Sequence, residues 1–178
     1  MKKKMTDPDF INPVEMPSGI SLHPVQDAAV DRVLDDLMEK TPALFVLLAE
    51  AGGQILAVRG GKHASDIVAL STLVASDMAA SREIARLTNQ YRTGQMVLRE
   101  GPDSNTFTTE AGPRMVLFVR AAKEVPLGWA RLLIQETGRQ LADVVAAPHD
   151  NVEALELGLD EEKLSALFGD GLDSIWKE

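Results

Sequence analysis

Leu44-Phe45-Val46-Leu47-Leu48, and beyond the turn Glu50-Ala51-Gly52-Gly53 the run Gln54-Ile55-Leu56-Ala57-Val58, decide the fold. The first run is apolar at every position, so a strand there is covered on both faces and belongs at the centre of a sheet. The paired glycines supply the tight turn that returns the second run antiparallel to the first. Gly60-Gly61 closes this hairpin, and residues 64–91 follow with apolar side chains at helical spacing. Nothing in this order is arranged as a catalyst, whereas the long helix is arranged to meet another protein.

On a wheel of about 100° per residue, Ile67, Leu70, Val74, Met78 and Ala85 make one stripe, and Leu73, Ala80, Ile84, Leu87 and Tyr91 make a neighbouring one. Together they cover half the circumference, which is wider than one sheet contact requires. The first stripe suits the helix's own sheet. Beside the second lie Ala69, Ser76, Asp77 and Ala80, small enough to let a second helix approach. A homodimer contact is therefore expected through Leu73, Ser76, Asp77, Ala80 and Ile84, the alternative being wider burial within one subunit. A third arc, Ser71, Thr72, Ala75, Ala79, Arg82 and Arg86, combines low charge with two arginines, as protein interfaces do, and is expected to bind a partner. A solvated face is the plain alternative.

Working outward toward the C-terminus, residues 95–100 and 104–110 flank the turn Gly101-Pro102-Asp103, and the second of these strands is rich in threonine. Polar strands of this kind sit at a sheet edge, and Arg99 and Glu100 blunt the edge only lightly beside Met96, Val97 and Leu98. These three residues are expected to extend the dimer contact. Gly112-Pro113 leads into Met115-Val116-Leu117-Phe118-Val119, a second central strand. A closing helix follows with Leu127, Ala130, Ile134, Leu141 and Val145 inward, and its Gly138 implies close packing.

Toward the N-terminus, Pro24 opens an amphipathic helix lined by Val25, Ala28, Ala29, Val33, Leu34, Leu37 and Met38 and ending near Thr41-Pro42. Residues 1–22 read as a flexible tail, residues 23–147 as one domain, and residues 148–178 as an acidic tail with a short helix at 160–168 capped by Asp160. Leu164, Leu167 and Phe168 make that helix apolar on one side. Separated from the core by residues 151–159, it is expected either to lie in a groove or to pack back on its own domain.

With 178 residues, 45% of them hydrophobic, the chain has the material for one core. A net charge of −9 without a clustered basic footprint argues against a nucleic-acid partner. The absence of cysteine removes thiolate nucleophiles and cysteine-ligated metals. Lys2-Lys3-Lys4 is not followed by an apolar run of signal-peptide length, and no stretch is long enough to span a bilayer, so a cytoplasmic location without membrane insertion is expected. Gly60-Gly61-Lys62 fails as a phosphate loop, because Leu56 replaces its first glycine and His63 its hydroxyl residue. His63, Ser65 and Asp66 are too crowded for a hydrolytic triad, and Ser65 or Asp66 suits a helix cap. His23 and His149 lie in the tails without a second metal ligand. Glu50, Glu100, Asp103 and Glu110 fall at turns and strand ends, where acids solubilise a surface, and no pair of carboxylates stands out. No catalytic residue, metal or cofactor is expected.

The chain resembles the Roadblock/dynein light-chain family. The resemblance is carried by Phe45-Val46-Leu47-Leu48 with Gly53-Gln54-Ile55-Leu56, by the helix from Ile67 to Leu87, and by Glu100-Gly101 with the stretch from Thr106 to Thr109. Gly112-Pro113-Arg114-Met115-Val116-Leu117-Phe118-Val119 and Pro126-Leu127-Gly128-Trp129-Ala130-Arg131-Leu132 complete it. It implies a profilin-like α/β (α+β) fold, a five-stranded antiparallel sheet with the long helix on one face and two helices on the other. It also implies a homodimer through the long helix and the strand at 95–100, and a small Ras-like GTPase as partner. In such proteins the dimer accelerates GTP hydrolysis without an arginine finger, by adjusting the GTPase's own loops. Trp129 and Glu136 are expected to give the last helix an unusual surface.

Overall fold

The computed structural model describes residues 19–61 and 64–175. The tail reading for residues 1–18 and the motif positions Lys62 and His63 lie outside the described residues. Along the chain come α1 (Pro24–Lys40), β1 (Ala43–Glu50), β2 (Ile55–Gly60), α2 (Ala64–Leu87), β3 (Met96–Glu100), β4 (Ser104–Glu110), β5 (Met115–Ala122) and α3 (Leu127–Ala146). A 3-10 helix (His149–Ala154) and α4 (Glu161–Ile175) complete it. The five strands form one antiparallel sheet in the order β2-β1-β5-β4-β3. The two most apolar runs are its middle: β1 pairs with β5 so that Leu47 stands opposite Phe118 and Leu48 opposite Leu117.

The sheet separates two cores. On one face α1 and α3 enclose Val30, Leu34, Leu37, Val46, Leu48, Phe107, Leu117, Leu133, Ile134 and Leu141. On the other, α2 alone covers Phe45, Leu47, Val116 and Phe118 with Val74 and Met78. This is the expected architecture: one long helix on one face and two helices on the other.

At two boundaries the difference from the sequence reading has a local reason. β2 continues past Val58, because Gly60 still pairs with Phe45. Gly60 has φ +71°, and a Cβ there would stand 2.5 Å from the Leu44 carbonyl oxygen, so glycine lets the ladder run on. α2 stops at Leu87 although apolar spacing continues to Tyr91. Asn89 adopts φ 55°, Gln90 N–H reaches back to the Ala85 carbonyl at 2.7 Å, and Asn89 N–H bonds the Arg86 carbonyl at 3.2 Å. That is the Schellman closure of a helix, with asparagine in the left-handed position.

The C-terminal segment is not detached. Val152 and Leu159 are buried in the α1/α3 core. Gly158 exchanges two hydrogen bonds with the Gln140 side chain, at 2.8 and 3.0 Å, and Leu159 N–H donates to Asp36 Oδ2 at 2.6 Å. α4 starts at the expected place and runs to Ile175, well past Phe168. Leu164 packs on the core, and the Phe168 ring stacks on Trp129 at 4.7 Å between centroids. Of the two expectations for Leu164, Leu167 and Phe168, the segment therefore takes the second and packs on its own domain. Trp129 is accordingly no free surface feature: Nε1–H donates to the Lys40 carbonyl at 3.1 Å.

The histidines at positions 23 and 149 are exposed but lie against each other. Their rings stack at 4.6 Å. His23 caps α1, with Gln26 Oε1 accepting from His23 N–H at 2.9 Å, while Gln26 Nε2–H₂ reaches the Val144 and Ala147 carbonyls at 3.2 and 3.0 Å. The start of α1 is thereby tied to the end of α3.

Candidate interaction surface

The outer side of α2 is the main apolar exposure among the described residues. Val68, Leu73, Ile84 and Leu87 are 60%, 67%, 62% and 67% exposed, Tyr91 just beyond the helix is 44%, and Leu98 on β3 is 40%. Leu73, Asp77, Ala80, Ile84 and Leu87 recur at intervals of three and four, so they form one line along the helix, with Ser76 beside it and Tyr91 just beyond its end. Asp77 leaves this line to bind Arg99 of β3 at 2.6 Å, an exposed ion pair that joins helix and strand. β3 is the last strand of the sheet, and its outer edge carries no partner among the described residues. Met96 and Val97 turn their side chains into the two cores, one to each face, so only their backbone is offered at that edge. Leu98 offers its side chain as well.

The expected partner-binding arc divides. Thr72, Ala79 and Arg86 are exposed, and Val68 lines up with them at helical spacing, a position the stripe assignment passed over. Ser71 and Ala75 are buried. The Ser71 hydroxyl donates to the Gly53 carbonyl at 2.8 Å, which anchors the helix to the β1/β2 turn. Neither can touch a partner. Arg82 is also not a free recognition charge, because its Nε–H donates to Glu110 Oε1 at 2.7 Å. Arg86 forms a forked pair with Glu83 at 2.6 and 2.9 Å. Both arginines of α2 are thus engaged by carboxylates.

Glu110 itself overturns the surface-acid reading. Its side chain is 4% exposed, against 34% for Arg82. It borders a cavity of about 530 Å³ with Tyr91, Thr93, Gln135, Gly138 and Arg139. Two more acids are held in structural roles. Glu50 accepts from Ile20 N–H and lies 4.0 Å from Arg114. Glu136, expected on the surface of α3, is buried; burial pushes its carboxyl pKa up. The hydrogen bonds from Arg139 and Gln140, with the charges of Arg139 and Lys163, outweigh burial and hold it below the ordinary value. Among the described residues no group of three or more acids or histidines is placed to hold a metal ion, and no helix is long and apolar enough to cross a membrane.

A five-stranded sheet with one helix on one face and two on the other, an exposed stripe on the single helix and an open edge beside it give the chain a profilin-like Roadblock fold. Its sequence matches no protein-family model and no curated protein. Solved structures do match. The gliding protein MglB of Thermus thermophilus is 24% identical with a TM-score of 0.65, over 73% of this chain and 98% of that one. MglB of Myxococcus xanthus is 27% identical with a TM-score of 0.60, over 65% of this chain and 93% of that one. A Roadblock/LC7 domain of Streptomyces avermitilis is 16% identical with a TM-score of 0.59, over 66% and 98%.

Proposed function

We propose that the chain is a cytoplasmic homodimeric regulatory module, without an active site of its own, that binds a small Ras-like GTPase and stimulates its GTP hydrolysis. The observation that carries self-association is the row Leu73, Ile84, Leu87 and Tyr91, each more than two-fifths exposed, running beside the open edge of β3. An apolar line of this length beside an unpaired strand edge marks an interaction site. Helix–helix contact with strand pairing would join two sheets into one. The GTPase is supported by the likeness to MglB, and Val68, Thr72, Ala79 and Arg86 supply an exposed arc for it on the same helix layer.

As the family resemblance implies, stimulation would come from repositioning the GTPase's own loops, not from an arginine inserted across the interface, and Arg82 and Arg86 are both paired with carboxylates. The same engagement favours a second reading, an adaptor dimer that holds the GTPase and leaves turnover unchanged. A hydrolase built on converging acids has little support, since the carboxylate beside the cavity, Glu110, is already paired with Arg82.

Single-turnover GTP hydrolysis by a Ras-like GTPase from the same genome, with and without excess of this protein, decides between these. Acceleration of about tenfold or more, equivalent to about 1.4 kcal/mol off the barrier, is the expected result. Complex formation without acceleration would leave the adaptor, and neither effect would reject this partner class.

A further inference from the structure

Three pieces of chain meet at the Glu110 carboxylate: β4, which carries it, α2, and the connection that follows α2. Oε1 accepts the Arg82 Nε–H from α2 at 2.7 Å and lies 3.4 Å from the Tyr91 hydroxyl; Oε2 lies 3.3 Å from the same hydroxyl and accepts the Gly94 N–H at 3.2 Å. One residue earlier, the Thr109 hydroxyl donates to the Gln95 carbonyl at 3.0 Å, and Gln95 Nε2–H₂ donates to the Ser81 carbonyl at 3.3 Å. The last turns of α2, the connection through Tyr91 and Gly94, the start of β3 and the end of β4 are thereby fastened to one another.

Enclosing a carboxylate is costly unless charge and hydrogen bonds compensate it, and simple support of a helix on a sheet does not need one. Apolar contact does that work already through Val74, Met78 and Phe118. Such contact holds α2 down without fixing its position along the sheet, whereas directional bonds do fix it. β3 is itself held to β4 by the ladder from Met96↔Thr109 to Glu100↔Asn105. The element whose placement remains open is the outer half of α2, and Glu110 sets it relative to the β3 edge.

We propose that Glu110 is a positioning residue for self-association: it holds the Leu73, Ile84 and Leu87 stripe of α2 in register with the β3 edge, so that the two halves present one surface. This rests on the dimer reading above. Sedimentation equilibrium of the full chain tests it in wild type, Glu110→Gln, Thr109→Val and Glu136→Gln. Thr109 is buried and cannot touch a partner, so its effect on affinity reports the brace alone. Glu136 is a comparably buried carboxylate on α3 whose hydrogen bonds run to Arg139 and Gln140 and not to α2 or β3, and it controls for general destabilisation.

Glu110→Gln should weaken the dimer about tenfold or more and Thr109→Val about threefold, both still unfolding cooperatively, while Glu136→Gln lowers thermal stability yet leaves the dimer constant within about twofold. If Glu110→Gln does not fold, Thr109→Val decides alone. Wild-type affinity in the folded brace variants overturns the proposal and leaves the dimer intact. A wild-type chain that remains monomeric overturns the dimer reading and the proposal with it.

Discussion

Leu73→Lys and Ile84→Lys, made singly, measure what the α2 stripe contributes. The two side chains are 67% and 62% exposed, so about two-thirds of each is available for burial. Fully burying such a side chain is worth about 1.5–3 kcal/mol, so each contributes about 1–2 kcal/mol here, and a two-fold interface buries it twice. One substitution per chain therefore removes about 2–4 kcal/mol of association energy, a change of about 30-fold to about 1,000-fold in dimer constant. The isolated fold loses little, since lysine is a good helix former and exposed substitutions shift stability by about 0.5 kcal/mol or less. Sedimentation velocity over a concentration series reads the first quantity, and urea unfolding at the lowest concentration reads the second. Unchanged association in both variants would remove the stripe from the interface. Loss of the fold together with the dimer would show that the stripe is enclosed within one subunit, the alternative that the helix pattern left open.

Two further outcomes are expected. Because hydrogen bonds and charge hold the folded Glu136 carboxyl below its ordinary value against the opposing pull of burial, the unfolded chain binds more protons in acid. Its contribution is complete above the ordinary carboxylate range and is lost as pH falls through the depressed folded value. Urea midpoints followed from neutral pH into acid should therefore fall more steeply for wild type than for Glu136→Gln, and parallel curves would refute this. Phe168→Ala should red-shift the emission of Trp129 in a Trp176→Phe background and cost about 0.5–1.5 kcal/mol by losing the stacked pair. An unshifted spectrum would mean that α4 does not rest on Trp129 in solution.

The parts of the fold that follow from local pattern were legible. Consecutive apolar residues in β1 and β5 mark the middle of the sheet, and the double stripe marks α2 as a helix with more apolar surface than its sheet needs. The misjudged positions depend on contacts between residues far apart in the chain. Glu110 looks like a surface acid until α2 brings Arg82 and Tyr91 to it, whereas Glu136 is the exception, with its partners Arg139 and Gln140 one turn away on its own helix. The segment at 151–159 has sparse apolar residues, yet Val152 and Leu159 reach a core whose opening is set by how α1 and α3 pack. At Ser71 and Ala75 the wheel was informative and the arc was drawn too wide: both adjoin the buried stripe. Ser71 is held there by a carbonyl in the β1/β2 turn, which no helical period reveals.

The two faces of the sheet are finished to different degrees, and this directs function to one of them. The α1/α3 face is closed three times over: by the helices, by the buried segment through Val152 and Leu159, and by α4 with its ring stack on Trp129. Its polar groups are spent on joining these pieces, Gln26 to the end of α3, Gln140 to Gly158, and Asp36 to Leu159. The opposite face has a single helix, tied at one end by Ser71 and at the other by Glu110, with apolar side chains on its outer side. Large apolar residues on the outside of a helix contribute nothing to the monomer, since that surface stays in water whether or not the chain is folded. Binding alone lets them add free energy, and the two polar ties place that surface before any partner arrives, which lowers the ordering cost of association. A regulator that works by shape needs such a rigid, preformed apolar layer, and in this chain only α2 and the neighbouring β3 edge provide one among the described residues.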